Sequence, residues 1–468
     1  MSGLMITLKV LVAVVLLASA PLALKRRWRL FLAIPLCVLQ GYVPGIQVAG
    51  VPIPLAFWGG FMLWPELVRE IRTVATWKPT AYLLGIVVLY AVSLLWSPSR
   101  KLGLQPIGYF VQFLVIFAAV VTEGRRDERL ILWLLTITIS MALIEAGLVF
   151  IGRVSLGLRL TFLVSPIARW MVSPNIIDNL FTGNYNGVMD PAKSGGLFVN
   201  ANVAATFLGV AACTAIGLAL HLRRKWLGVN GAILLGAVAF TGSKGGLILA
   251  AAVPILMLHL ISLRYRGWRN RLRMVMGAIV VVGVFGWLGP KAILATERGE
   301  YRALSSFLEQ SNLTLGAREK IWEYGAQAFV QHPLKGQGFG GWQEDFPRYA
   351  RKVGIARDMP AENTVIYLWS QGGLLAAVLG VGFIYQVLRI GWRQTRDRNA
   401  SAFGLSLAMT GAFTWAFVRG MGSNFGLIGD IHMSPLLATL LALAYLHRRP
   451  VAAPLAVETL ARALWTPA

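Results

Sequence analysis

Apolar runs of about 17 to 25 residues recur along the whole of this 468-residue chain, and each is long enough to cross a hydrocarbon layer of about 30 Å as a helix. That repetition dominates every other signal. Only 14% of the residues are charged and 56% are hydrophobic, against roughly 25% charged in an ordinary soluble domain. Water is therefore not the main solvent. Candidate spans lie near 5–24, 29–44, 53–68, 80–96, 105–122, 130–152, 196–220, 226–242, 245–263, 273–291, 363–388, 402–418 and 434–447. The reading is an all-α polytopic membrane protein with about 12 transmembrane helices. Pro44, Pro52, Pro54, Gly59 and Gly60 interrupt the second and third runs, which predicts a broken or re-entrant pair there.

The formal net charge is +24, but its distribution argues against nucleic acid. The basic residues fall in short clusters between apolar runs: Lys25 to Arg29; Arg69, Arg72 and Lys78; Arg125, Arg126 and Arg129; Arg223, Arg224 and Lys225; five arginines in 264–273; four in 389–398; and Arg448 with Arg449. They occupy every second connection, so the positive-inside rule assigns them to the cytoplasm. It assigns 43–53, 97–104, 153–194, 241–244, 291–361 and 419–433 to the outer side.

The expected organisation is a bundle over 1–290 with an outer loop at 153–194, a large outer loop at 291–361, closing helices over 362–450 and a cytoplasmic tail at 451–468. The N-terminal run ends in Ala18-Ser19-Ala20, but its charge follows at Lys25 instead of preceding it. We read it as a retained helix. Cys37 and Cys213 both lie in apolar runs, as packing residues do.

Polar groups at the outer edge are the place to look for chemistry, because burying them costs several kcal/mol by rough estimate unless they are paired or functional. Four outer segments qualify. Asn200 and Asn202 stand at the entrance to a span, either as helix caps or as site amides. Thr241-Gly-Ser-Lys244 is a tight turn with one cation, which either anchors a helix end or holds a phosphate as a point charge. Arg318 and Trp322, four apart, share a helix face. Glu362 and Asn363 lead into an apolar span. A carboxylate there either answers a helix dipole or, with its pKa raised by low dielectric, serves as a base.

In the large loop, helical stretches are expected at 300–309 and 318–331, ended by Pro333 and a run with four glycines in six residues, Gly336 to Gly341. Such glycines give tight turns and close backbone approach. His332 precedes the run, as a turn former or as a reserve base. No histidine pair has zinc-site spacing, and no metal or cofactor is expected. Glu145 lies inside a span with no evident partner, and Arg100, Lys101, Arg169 and Lys193 add outward-facing cations. Cations against the topological rule suggest an anionic ligand.

In order and spacing these segments resemble the O-antigen ligase and polymerase superfamily. The resemblance covers roughly 190–380: Gly196, Asn200 and Asn202; Thr241 to Lys244; Arg318 with Trp322; His332-Pro-Leu-Lys-Gly-Gln-Gly338; and Glu362-Asn363 followed after nine residues by Gly373. Glu362 stands where the family has histidine, and Lys244 where it has arginine. The resemblance implies a GT-C-like bundle in the bacterial inner membrane with a periplasmic loop and site. It implies inverting, metal-independent transfer of a glycan from an undecaprenyl-diphosphate donor to a hydroxyl of lipid A core or another glycan, with no nucleotide sugar. Arg318 and Lys244, with Arg100 and Lys101, would hold the diphosphate. Glu362 would take the acceptor proton, Asn363 would orient it, and Trp322 and Trp342 would offer stacking faces. The competing class is a transporter or flippase of a lipid-linked precursor. Transporter sites belong near the midplane, whereas these groups gather at one end.

Overall fold

The computed structural model describes residues 30, 42–48, 51–56, 60, 62–172, 176–177, 193–264, 302–355, 361–397, 402–422, 427–429 and 431–448; the side chains of 42–48, 51–54, 101–106 and 302–315 are left out of the description. The expected spans at 5–24 and 273–291, nearly all of 29–44, Cys37 and the tail at 451–468 lie outside these residues.

Two strands, β1 (Tyr42–Val48) and β2 (Val51–Pro54), pair antiparallel with Gln47 opposite Pro52 and Val48 opposite Val51. The all-α class stands, and this short ribbon replaces only the broken helix pair expected around Pro44 and Pro52. Proline has no N–H to give a helix, and β-branched neighbours favour an extended chain. The other regular elements described are helices. Helix α1 (Trp64–Thr76) meets α2 (Lys78–Ser93) at a bend of 107°. Trp77 is extended at the bend, and Pro79 opens α2. The Thr80 hydroxyl closes the corner by donating to the carbonyls of Val74 and Trp77 at 2.8 and 3.1 Å. Of the run expected as a span at 53–68, residues 53–54 end β2 and 64–68 begin the amphipathic α1.

Helices α3 (Arg100–Gly124) and α4 (Glu128–Val154) follow, then α5 (Leu156–Val164), α6 (Ala168–Met171), a 3-10 turn at Gly196–Phe198, α7 (Ala201–Leu222), α8 (Lys225–Phe240) and α9 (Lys244–Arg264). After these come α10 (Arg302–Gln331), α11 (Gly341–Val353), α12 (Thr364–Arg396), α13 (Phe403–Gly420) and α14 (Ser434–Leu446). The two stretches expected in the large loop are one continuous helix, α10. Among the described residues, five helices are long and apolar enough to cross a membrane, six if the bent α1–α2 pair is one span, and α8 and α14 are shorter apolar helices. The chain is a multi-pass membrane protein.

Helices α7 and α13 form the centre, because small residues let their backbones approach, the usual means of packing where lipid removes the hydrophobic drive between helices. A Cβ on Gly217 would lie 2.4 Å from both the Ala408 Cβ and the Gly404 carbonyl, and one on Gly411 would meet the Met257 sulfur at 2.7 Å and Cys213 at 3.2 Å. Cys213 is fully buried there.

The basic clusters among the described residues gather at one end. Arg125 of α3 pairs with Glu70 of α1, His447 beyond α14 contacts Glu128 of α4 at 2.9 Å, and Arg264 of α9 donates to the Asp397 carbonyl after α12 at 2.9 Å. The opposite end carries Asn200, Lys244, Glu362 and Arg419.

Candidate functional site

Helix α12 is broken at Gly373, whose φ of 70° and ψ of −170° lie in a region open essentially to glycine alone. The break frees backbone groups inside an apolar span, where each needs a partner. The glycine run supplies them. Gln337 N–H donates to the Ser370 carbonyl at 2.7 Å, Gly338 N–H to Gln371 at 3.0 Å, and Leu374 N–H to Pro333 at 3.0 Å. The Ser93 hydroxyl accepts from Phe339 N–H, and the Ser97 hydroxyl donates to the Phe339 carbonyl, both at 2.9 Å. The backbone approach expected of these glycines is therefore made to a broken helix. It fixes α10 and α11 against the bundle end. Trp342 is 2% exposed, stacked on Phe346 and edge-on to Tyr324, so its faces belong to this core and not to a sugar.

With α10 so placed, Arg318 reaches the start of α12. Its Nη2 lies 3.3 Å from Glu362 Oε2, with both side chains partly buried. Glu362 is held from both sides. The Asn363 carboxamide oxygen caps α12 by accepting from Val365 N–H at 2.9 Å and Ile366 N–H at 3.2 Å, while its NH2 donates to the Met421 carbonyl at 3.3 Å. The Thr364 hydroxyl donates to the Gly420 carbonyl at 3.0 Å. These bonds leave Glu362 at a φ of 51°, a left-handed conformation costing a non-glycine residue about 1–3 kcal/mol and concentrated at functional sites. Asn363 thus caps the helix and braces α13, while the carboxylate is steered by Arg318. Burial pushes the Glu362 carboxyl above the ordinary carboxylate range, and Arg318 and then Arg419 pull it part of the way back.

Arg419, 7% exposed in the last turn of α13, links this pair to the second cation. A Cβ on Gly245 would lie 2.5 Å from Arg419 Nη1 and 3.2 Å from its Cζ, so the guanidinium rests on the backbone next to Lys244. The turn before Lys244 is tied in turn to α7. The Ser243 hydroxyl donates to the Asn202 carboxamide oxygen at 2.7 Å, and Asn202 N–H donates to Asn200 Oδ1 at 2.9 Å, the cap of α7. Ser194 N–H donates to the Thr241 carbonyl at 3.0 Å, which brings Lys193 near enough to repel Lys244.

Glu145 completes the support. Its Oε2 accepts from Leu197 N–H at 3.2 Å, and its carboxylate fills the space a Cβ of Gly196 would need. The partner that the sequence does not reveal is thus the amide of the 3-10 turn.

Other expected residues stand apart. His332 is exposed, about 20 Å along the α10 axis from Arg318 at 1.5 Å per residue. Its N–H donates to Ala328 and its carbonyl accepts from Gly336, so it closes a turn away from Glu362. Arg100 is exposed at the start of α3, after the turn that Ser97 pins to the glycine run, and Lys101 follows it in the helix. Arg169 is exposed on α6. Trp322 is 39% exposed one turn beyond Arg318, which leaves it a face open to solvent.

Sequence reasoning missed Arg419. The signal was present, since it ends an apolar run on the side assigned to the exterior, the criterion that singled out Arg100 and Lys193. It carries no motif of its own.

No curated protein matches the chain. Residues 229–381 match the family model described as O-antigen ligase, a segment from α8 into α12 that holds Lys244, Arg318 and Glu362 but neither Asn200 and Asn202 nor Arg419. The family suggests membrane glycosyl transfer of the ligase or polymerase type, with a lipid-linked glycan and an acceptor as substrates. Over that segment, about a third of the chain, this membrane protein is similar to the O-antigen ligase family, and the match supports the resemblance seen in its sequence.

Proposed function

We propose that the protein transfers a glycan from an undecaprenyl-diphosphate donor to a hydroxyl acceptor at the outer face of the bacterial inner membrane, with inversion and without a metal. The observation that carries this is the Arg318–Glu362 pair at 3.3 Å, with Arg419 acting on it from α13 and the backbone next to Lys244 packed against Arg419.

The Glu362 carboxylate takes the proton of the acceptor hydroxyl. That oxygen forms a bond to the anomeric carbon on the face opposite the diphosphate. The bond from that carbon to the diphosphate oxygen breaks, and its electron pair leaves on the diphosphate. A raised carboxyl pKa makes Glu362 a better proton acceptor than an ordinary carboxylate. Lys244 and Arg318 neutralise the charge growing on the leaving group, the contribution that usually dominates such catalysis. Arg100 extends the positive surface near the glycine run, and Trp322 offers a face to a sugar. Asn200, Asn202 and Asn363 hold the turns that carry these groups.

The test is purified protein with an undecaprenyl-diphosphate oligosaccharide and, separately, lipid A core or a second lipid-linked glycan. Consumption of donor with release of undecaprenyl diphosphate and an inverted linkage is expected. Wild-type protein that consumes no donor with either acceptor, or Glu362→Gln protein that retains full activity, refutes the reading.

A further inference from the structure

Three elements meet at Arg419. Residues 363 and 364 bond to the carbonyls of Met421 and Gly420, so the start of α12 is fastened to the chain on the C-terminal side of Arg419. Gly245, beside Lys244, is the surface on which the guanidinium rests, at a distance that leaves no room for a side chain. The charge of Arg419 acts on Arg318 and Glu362 together. One buried cation therefore stands between the turn of the leaving-group cation and the carboxylate that accepts the proton, which are 118 positions apart in the chain by 362 − 244.

We propose that Arg419 is a positioning residue of this site: it sets the Lys244 turn and the Glu362 carboxylate in register and keeps Glu362 in its proton-accepting form. This rests on the function proposed above, with Glu362 as the base. Two charged groups act on that carboxylate from the packed elements, Arg318 from α10 and Arg419 from α13, and the turn that carries Lys244 lies against Arg419 at Gly245. The physical reason is a double constraint. Glu362 is pushed toward its neutral form by burial, and Arg318 alone supplies a single 3.3 Å contact. Arg419 adds a second positive charge, buried and packed against the chain at Gly245. A displacement of about 1 Å at such a site costs on the order of 100-fold in rate.

The experiment uses full-length protein in detergent or nanodiscs, as wild type, Arg419→Gln, Arg419→Lys, Gly245→Ala and Glu362→Gln. The first readout is kcat/KM against pH with the undecaprenyl-diphosphate oligosaccharide. Removing a positive charge raises the pKa of a nearby carboxylate, so Arg419→Gln should move the acid limb to higher pH and lower the rate at neutral pH by about 10- to 100-fold. Arg419→Lys should return the limb toward wild type with kcat still reduced, because charge is kept and the planar contact is lost. The second readout needs no activity. The melting temperature against pH should show a Glu362-dependent fall that Glu362→Gln lacks and Arg419→Gln moves to higher pH.

A folded Arg419→Gln protein with both profiles unmoved overturns the inference. If that variant does not fold, Gly245→Ala decides, because it displaces the guanidinium from its other side; unchanged profiles again overturn it. Wild-type protein without transfer refutes the proposed function, while the melting profile still decides whether Arg419 acts on Glu362.

Discussion

Replacing Gly373 by alanine tests whether the glycine run exists to serve the broken helix. An added Cβ would collide with the Leu334 carbonyl and lie 2.7 Å from Lys335 N, and the residue sits at a φ of 70°. The conformational cost alone is about 1–3 kcal/mol. Either α12 straightens or the loop moves away, and both outcomes break the bonds Gln337 N–Ser370 O, Gly338 N–Gln371 O and Leu374 N–Pro333 O, each worth about 0.5–1.5 kcal/mol net. Destabilisation on the order of 3–7 kcal/mol follows. The same change at Gly236 in α8, where a new Cβ meets nothing within 4 Å, should be neutral or stabilising by up to about 1 kcal/mol. Thermal unfolding in detergent, with limited proteolysis of the α10–α11 segment, compares the two. Gly373→Ala should melt several degrees lower and be cut in the loop first. If it melts with Gly236→Ala and resists proteolysis, the reasoning that couples the break to the loop is wrong.

His332→Ala should leave transfer within a few-fold of wild type, because His332 is exposed and far from Glu362; a loss above about 100-fold, the range of a general base, would restore it as the base. Arg318→Lys keeps charge but loses the fork, and steady-state kinetics should show a kcat about ten-fold lower with the donor KM changed less. Glu362 has its folded pKa raised by burial, so it contributes stability below the ordinary carboxylate pKa that is lost as pH rises through the folded value. Melting curves of wild type should therefore fall over that window, and those of Glu362→Gln should stay flat. Gly196→Ala should lower the melting temperature by displacing Glu145, and replacing Glu145 by the shorter aspartate at the same time should recover part of the loss.

Much of this architecture was legible in the chain, because apolar run length and alternating charge are local properties. Arg69, Arg125, Arg223, Arg264 and Arg448 were grouped by counting charges between runs, and contacts such as Arg125–Glu70 and Arg264–Asp397 carbonyl link several of those connections. What failed was long-range or cooperative. The ribbon at Tyr42–Pro54 needs a partner strand to exist, and an interrupted apolar run reads equally as a broken helix. The bond from Asn363 to the Met421 carbonyl after α13 joins distant parts of the chain, and no local pattern announces it. Glu145 had no legible partner because it is bound by a backbone amide, which no side-chain pattern announces. Arg419 is the clearest case, since its importance lies in touching Gly245, 174 positions earlier by 419 − 245.

The lysine at position 244, where the resemblance implies arginine, is easier to understand from the helix ends than from the side chain. The N-termini of α7, α9 and α12 are brought to the same end by Ser243–Asn202 and by the clasp between 363–364 and 420–421. Each presents the equivalent of roughly half a positive charge. The C-terminus of α13 opposes them, and Arg419 in its last turn offsets that end. A phosphate at this place meets a positive field assembled largely from backbone, so the bidentate fork that lysine lacks is a smaller part of the whole. Lys244→Ala should then weaken donor binding more gently than Arg318→Ala, and the weakening should ease at low ionic strength, where the remaining field is least screened. Equal and complete loss in both variants, independent of salt, would show that the individual cations and not the converging helix ends hold the donor.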